Sequence, residues 1–297
     1  MYPGTFRDRV SFGVLKFHHL GSAALLQVLF KINNNHTSDS SLSSLPFIMV
    51  VSGYQEKEGE SLTTFYNLIT TKSTQLKHSV KPWQKTTNGE LASRLYDKER
   101  ILNSAAALQL ISKRTTIPVP RLIGFGENDD GTAWIETERT HGGVWLDVVR
   151  DRCRMPAGKT HVDDGNECDE CDRIARANAR RFVADEVVPQ LNSLTSDTTG
   201  LGGVVIPPLW VMFHDKAACW PPKKSESGQS EYVFCHGNLH GHSILMHAET
   251  LHVLKIVDWD EAGYFPPEFQ VWSVDRADYE ALYENDEQRK RLTALML

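Results

Sequence analysis

The sequence predicts an α+β chain. Three observations carry that reading. Runs of strand-like composition occur in the first half, at Phe65–Thr70, Leu91–Leu95 and Thr132–Glu138. Two segments, 98–110 and 172–194, are rich in helix-forming residues with apolar side chains at helical spacing. Three short apolar runs, Tyr232–Cys235, Ile244–Met246 and Leu251–Val257, enclose polar turns near the C-terminal end.

In chain order, residues 1–60 give no clear fold signal. Arg7, Arg9 and Lys16 precede the apolar run Leu20–Phe30, a loose imitation of a targeting segment. Lys16, His18 and His19 interrupt any longer apolar stretch and no clean small-residue cleavage site follows, so no targeting is expected. Asn33–Ser44 reads as a polar loop, and Asn35-His36-Thr37, a glycosylation acceptor only in a secreted chain, reads as an exposed turn. Asp97 is a candidate cap for the helix from Lys98, whose Ile101, Ala105, Leu108 and Ile111 share one face. Pro118 and Pro120 require Thr115–Pro120 to be extended, because each proline removes an amide donor and biases its predecessor away from helix. A short strand is expected at Arg121–Phe125, an acidic turn at Glu127–Gly131, and an alternating strand at Thr132–Glu138.

Gly142-Gly143 reads as a strand break, and Trp145–Arg150 as the start of a helix. A polar loop follows, Arg154–Glu170, and then the helix Asp172–Leu194, with Ile174, Phe182, Val183 and Val187 apolar. Arg173, Arg176, Arg180 and Arg181 read as its solvated face. Proline pairs at 207–208 and 221–222 bracket Leu209–Phe213, which reads as a strand, and Lys223–Glu231 reads as a polar connection.

The composition excludes several classes. In 297 residues, 40% are hydrophobic and 24% charged, enough for a sizeable core and incompatible with a mostly disordered chain. With 32 basic and 38 acidic residues the net charge is −6, so no nucleic-acid partner is expected. No uncharged apolar run reaches the ~18 residues of a membrane span, so no membrane partner is expected either. Five cysteines, an odd number, fit reduced thiols in a cytoplasmic protein. Cys168-Asp-Glu-Cys171 has metal-ligand spacing, with Cys153 and His161 upstream. A second tight pair is lacking, and the expectation is a polar loop holding free thiols.

The most informative stretch is 232–269. A buried strand ends at His236-Gly237, where glycine permits a tight turn. A polar loop, Asn238–Ser243, precedes the next strand, and a third strand ends in the acidic cluster Asp258-Trp-Asp-Glu261. Rigid strands thus present a polar loop beside carboxylates, an arrangement where chemistry usually sits. Cys235 reads as a small buried side chain, His236 as a backbone-bonding residue that fixes the turn, and His240, His247 and His252 as surface residues.

These residues resemble the catalytic centre of the aminoglycoside phosphotransferase and choline kinase group. The group's loop is His-Gly-Asp-Leu, four residues ending in Asn, then Ile-Leu; here it is His236-Gly-Asn-Leu-His-Gly-His-Ser-Ile-Leu245. The group's next strand ends Ile-Asp-Trp-Glu, followed by Ala-Gly-Tyr and often Pro-Pro-Glu. Ile256–Glu268 is similar to it, and Thr115–Pro120 looks like fungal members. The resemblance spans roughly residues 90–285 and implies a protein-kinase-like fold of two lobes. The small β-rich lobe, nucleotide-binding, would cover 61–140, and the mostly helical lobe, with the catalytic-type loop, 141–297. It implies transfer of the ATP γ-phosphoryl to the hydroxyl of a small molecule, with Mg²⁺, the adenine meeting backbone near Glu138, Arg139 and Thr140.

Three positions depart from the pattern so implied. The position of the group's catalytic Asp is Asn238, which can hold a hydroxyl but cannot take its proton at neutral pH. The metal-binding Asn is Ser243, while the main metal carboxylate is kept as Asp258. The helix glutamate that pairs the nucleotide-binding lysine is Ser104; Arg94 and Lys98 are the candidate phosphate partners. His236 and Asn238 make up the expected catalytic pair. The expectation is a kinase of reduced activity, the alternative a pseudokinase that binds nucleotide or a partner without transfer.

Overall fold

The computed structural model describes residues 59–62, 66–81, 96–163, 165–214 and 220–297, and Glu56–Leu297 form one compact unit. The readings over residues 1–58, Phe65, the strand at Leu91–Leu95 and Arg94 lie outside the described residues.

Five strands, β1 (Gly59–Leu62), β2 (Tyr66–Thr70), β3 (Thr74–Ser79), β4 (Leu122–Glu127) and β5 (Ala133–Glu138), form an antiparallel sheet in the order β1-β2-β3-β5-β4. Helix α1 (Asp97–Arg114) packs on β3, β4 and β5. Its expected apolar face, Ile101, Ala105, Leu108 and Ile111, is buried. Asp97 is not the cap. Tyr96 holds that position in a left-handed conformation without a side-chain capping bond, and Asp97 and Glu99 instead place negative charge in the first turn, where the helix dipole favours it. The helix stops at Thr115, whose hydroxyl donates to the Ile111 carbonyl at 2.8 Å, and the two prolines keep the next residues extended.

The remainder begins with β6 (Gly143–Trp145), so Gly143 opens a strand instead of breaking one. A Cβ there would stand 2.6 Å from a Leu245 methyl, which explains the glycine. A 3₁₀ segment, Leu146–Asp151, follows. The predicted long helix starts at Asp169: α2 (Asp169–Phe182), a π turn (Val183–Val187) and α3 (Val188–Ser193) run on continuously. After β7 (Thr195–Ser196) comes α4 (Leu209–His214), a helix where the composition suggested a strand. Pro208 starts its first turn, its carbonyl accepting from the Val211 amide at 2.9 Å. Strands β8 (Tyr232–Cys235), β9 (Ile244–His247), β10 (Val253–Ile256) and β11 (Gly263–Phe265) complete two small sheets, β10-β9-β6 and β11-β8-β7. Helices α5 (Arg276–Glu284) and α6 (Asp286–Ala294) close the chain.

One apolar core runs from α1 and β5 through α2 and α3 to Phe234, Ile244 and Met246. A second, aromatic core joins α4 to α5, with Trp210 stacked on Tyr283 at 4.2 Å. The sheet with α1 and the largely helical remainder therefore meet over a continuous interior, and the loops after β8 and β10 emerge beside the sheet. No helix among the described residues is long and apolar enough to cross a membrane.

Candidate active site

The loop between β8 and β9 is shaped by its own side chains. His236 is buried; its Nε2 donates to the Val257 carbonyl at 2.9 Å and its Nδ1 accepts from the Asn238 amide at 3.3 Å. Both ring nitrogens are therefore engaged. Burial, opposed by the Val257 bond and by Asp258 and Asp260, pushes its pKa down to about 4, so the ring is neutral at pH 7. His236 ties the loop to the end of β10 and lies against the Trp259 ring, a positioning residue instead of the catalytic group expected for it. Gly237 has φ 82°, and a Cβ there would lie 2.5 Å from the Glu261 carbonyl.

Asn238 is partly exposed beyond that turn, and its side chain has no hydrogen-bond partner among the described residues. His240 is not on the surface. It is buried, caps the short 3₁₀ turn Gly241–Ser243 by accepting from the His242 amide, and is also pushed down to about 4 by burial and by His242. The Ser243 hydroxyl donates to the His240 carbonyl at 2.9 Å and accepts from the His240 amide at 3.0 Å, fully buried. It closes the loop with both of these bonds. Asp147 pairs with His242 Nδ1. Burial alone would raise the Asp147 carboxyl, but the His242 bond and the charges of His242, His240 and Arg176 hold it low. Gly241 leaves room for that carboxylate, since a Cβ would fall 1.9 Å from Asp147 Oδ1.

Opposite the loop stands a lysine that the sequence reading did not single out. Lys77, on β3, lies with Nζ 2.6 Å from Asp260 Oδ2 and 3.3 Å from Asp258 Oδ1, and 4.1 Å from the centre of the Tyr66 ring. Burial acts to lower its pKa, but Asp260 and Asp258 more than offset that and hold it above the ordinary lysine value. Asp258 has φ 67°, a strained conformation for a residue with a side chain, and its carboxylate is 41% exposed. Asp260 is buried, and its Oδ1 has no hydrogen-bond partner among the described residues.

Helix α1 is bound to the same acidic segment. Asn103 Nδ2 donates to the carbonyls of Asp260 at 3.0 Å and Ala262 at 2.7 Å. Arg100 and Glu261 form an ion pair in which both side chains are almost wholly buried, and Arg100 also donates to the Pro207 carbonyl at 3.2 Å. Ser104, one residue from Asn103, is buried on α1.

Comparison with models of protein families gives one assignment: the phosphotransferase enzyme family model (APH) matches residues 81–281, well over half of the chain. The chain belongs to the phosphotransferase enzyme family. A search of curated proteins finds no match. Among solved structures, the GDP complex of wild-type aminoglycoside 2'-phosphotransferase-IIIa is similar at 12% identity, covering 80% of this chain and 76% of that one, with a TM-score of 0.44. The apo form of a thermostable mutant of aminoglycoside phosphotransferase APH(4)-Ia is similar at 11% identity, covering 78% and 79%, with a TM-score of 0.40. The sheet carrying one helix, followed by the mainly helical remainder, is the two-lobed, protein-kinase-like α+β architecture expected of this phosphotransferase-family chain.

Within that architecture the remaining expected nucleotide contacts fall differently. Lys98 pairs with Glu127 at 3.0 Å on an exposed face. The Glu138 amide donates to the Arg121 carbonyl and the Arg139 amide to the Ser73 carbonyl, so neither amide is open to a base. The Arg139 guanidinium donates to the Thr71 carbonyl, and Glu138 pairs with Arg121. Thr140 is buried. The residues the structure does bring together are Lys77, Asp258 and Asp260, with Asn238 on the loop whose first histidine is bonded to Val257.

Proposed function

We propose that this phosphotransferase-family chain binds a magnesium nucleotide, ATP in the simplest case, between β3 and the segment after β10, and that it transfers the γ-phosphoryl to a small-molecule hydroxyl only slowly. The observation that carries this reading is Lys77, whose ammonium stands between Asp258 and Asp260. A cation from the sheet facing a strained, half-exposed carboxylate is the charge arrangement that phosphates and a hard metal require.

The donors support a divalent cation. Asp258 offers an accessible carboxylate and Asp260 Oδ1 is a buried oxygen without a hydrogen bond. Ser243 drops out of the metal set because its hydroxyl is engaged on both sides within the loop. When bound, magnesium neutralises charge on the transferred phosphoryl group. Lys77 would then share its charge with phosphate oxygens, and Asn238 would hold the acceptor hydroxyl. An amide cannot receive the proton that leaves that hydroxyl, and loss of a general base typically costs ~10²- to 10⁴-fold in rate.

The test is a thermal shift with ATP, with and without Mg²⁺, followed by ATP turnover on a panel of hydroxyl compounds. A native-state binder raises the melting temperature by mass action. The expected result is a shift that needs nucleotide and metal together, slow turnover, and a gain of ~10²-fold or more in Asn238→Asp. No shift at any magnesium concentration would reject nucleotide binding, and an ordinary kinase rate in the parent would reject impaired transfer. The second reading is a binding module without transfer. The engagement of Ser243 inside the loop favours it, and it takes over if Asn238→Asp binds magnesium-ATP but never turns over.

A further inference from the structure

The loop between the 3₁₀ segment Leu146–Asp151 and α2 holds a second set of chemistry-bearing residues, which the phosphoryl-transfer reading does not use. Cys153, His161, Cys168 and Cys171 each offer one ligand atom, and the four atoms all lie within 4.8 Å of one another. The spacing of the chain shows one close pair, Cys168 and Cys171; the fold supplies the other two ligands by bringing residues 153 and 161 back over the start of α2.

The distances identify the ligand chemistry. In tetrahedral zinc sites the metal lies about 2.3 Å from sulfur and 2.0–2.1 Å from nitrogen, which places two sulfurs about 3.8 Å apart and a sulfur and a nitrogen about 3.6 Å apart. Here Cys153 Sγ and Cys171 Sγ are 3.8 Å apart, and His161 Nδ1 is 3.5 Å from Cys168 Sγ and 3.6 Å from Cys171 Sγ. A disulfide does not account for the arrangement. It needs its sulfurs about 2.05 Å apart and would leave the other thiol and the imidazole unexplained. All three cysteines are free thiols.

The surroundings supply backbone donors to the sulfurs. The Arg154 amide donates to Cys171 Sγ and the His161 amide to Cys153 Sγ, both at 3.3 Å. Backbone N–H donors of this kind are the outer shell that orients and tunes sulfur ligands. Cys168 occupies the N-cap position of α2, where the helix dipole favours negative charge, and Cys168 and Cys171 are wholly buried, so a bound ion would be shielded from water. Four protein ligands from one short segment leave no position open, as in structural and not catalytic zinc sites.

We propose that Cys153, His161, Cys168 and Cys171 bind one zinc ion in a closed, structural Cys₃His site. Binding releases the three thiol protons and changes no oxidation state. The site ties the start of α2 to the chain that follows Leu146–Asp151, a connection the protein also makes through the Cys168 amide and the Arg150 carbonyl at 2.7 Å. The 3₁₀ segment carries Asp147, the partner of His242, so zinc would brace the platform under the loop that bears Asn238. The proposal does not depend on nucleotide binding.

The experiment uses the full chain, purified under reducing conditions without chelator, with metal content measured by mass spectrometry. The expected result is one zinc per chain. Replacement by Co²⁺ should give the intense visible bands of a tetrahedral ion and a sulfur-to-cobalt charge-transfer band. His161→Ala and Cys168→Ser should weaken zinc binding by more than the ~10–100-fold typical of an outer-shell change, while Cys235→Ala keeps the metal. The cobalt spectrum of the parent decides the matter even if a variant fails to fold. A parent chain that takes up no zinc when reduced and supplied with it would overturn the proposal. So would an octahedral cobalt spectrum without sulfur bands, or a Cys153–Cys171 disulfide in metal-free protein.

Discussion

At the scale of single residues, Lys77 and Lys98 separate what the sequence reveals from what it hides. Lys98 lies on a helix announced by apolar spacing, close to the nucleotide side, and is the lysine a reader of the sequence would choose. It pairs with Glu127 at the surface. Lys77 lies in Thr74-Gln-Leu-Lys-His-Ser79, a strand whose residues are nearly all half-buried on both faces, so no period-two pattern marks it. Replacing Lys77 by Met should remove the nucleotide-dependent thermal shift and lower the melting temperature without ligand, because Asp258 and Asp260 lose the charge between them. Lys98→Met should change neither. If Lys98→Met abolishes the shift and Lys77→Met preserves it, the assignment of the phosphate partner is reversed. Asp258 and Asn238, by contrast, are legible as motif positions, since each sits in a motif with fixed spacing, and their roles rest on the proposal above. The roles of Ser243 and His240 were not legible. Whether a hydroxyl or an imidazole faces outward or back into its own loop is decided by backbone bonds that spacing does not encode.

At the scale of elements, α1 shows how a helix is readable in one respect and opaque in another. Its length and apolar face follow from propensity and period. Its polar attachments do not, because Arg100 meets Glu261 across 161 residues of chain. This pair is buried on both sides. Removing one partner of a buried pair leaves an uncompensated charge, so Arg100→Met alone should cost about 3–5 kcal/mol, whereas Arg100→Met with Glu261→Leu should cost less than either single change. Chemical denaturation of the four proteins of that double-mutant cycle measures the coupling, and additive losses would mean that the two charges act independently. For α4 the reading failed because six residues of mixed apolar type carry no usable period, and Pro208 before them supports a helical first turn as readily as a loop.

At the scale of the whole molecule, the α+β class and the family were legible because the paired motifs at 236–245 and 256–268 are specific, while β1 and β3 and the course of the C-terminal part were not. One property belongs to the molecule as a unit. His236 and His240 are held neutral down to about 4 by burial, against 6.5 for an ordinary histidine. Their stabilising effect is therefore fully present above pH 6.5. As pH falls below that value the unfolded chain takes up protons that the folded chain does not, so stability declines towards pH 4 and the contribution levels off below it. The loss over the window should be on the order of 3 kcal/mol for each ring. Urea midpoints at pH 7.5, 6.5 and 5 test this above the range where most carboxylates titrate, and a midpoint that rises on acidification would contradict it. The attachment of α1 bears on motion as well. The helix lies against the sheet yet is bonded through Asn103 and Arg100 to residues 260–262 and 207. A helix anchored that way is expected to travel with the part of the chain that carries the acidic cluster, so an opening between sheet and loop would be a sliding of β3, β4 and β5 across the helix. The machine then has a fixed axle and a moving plate, and its slowest strokes should be set by how freely Ile101, Leu108 and Ile111 let that plate pass.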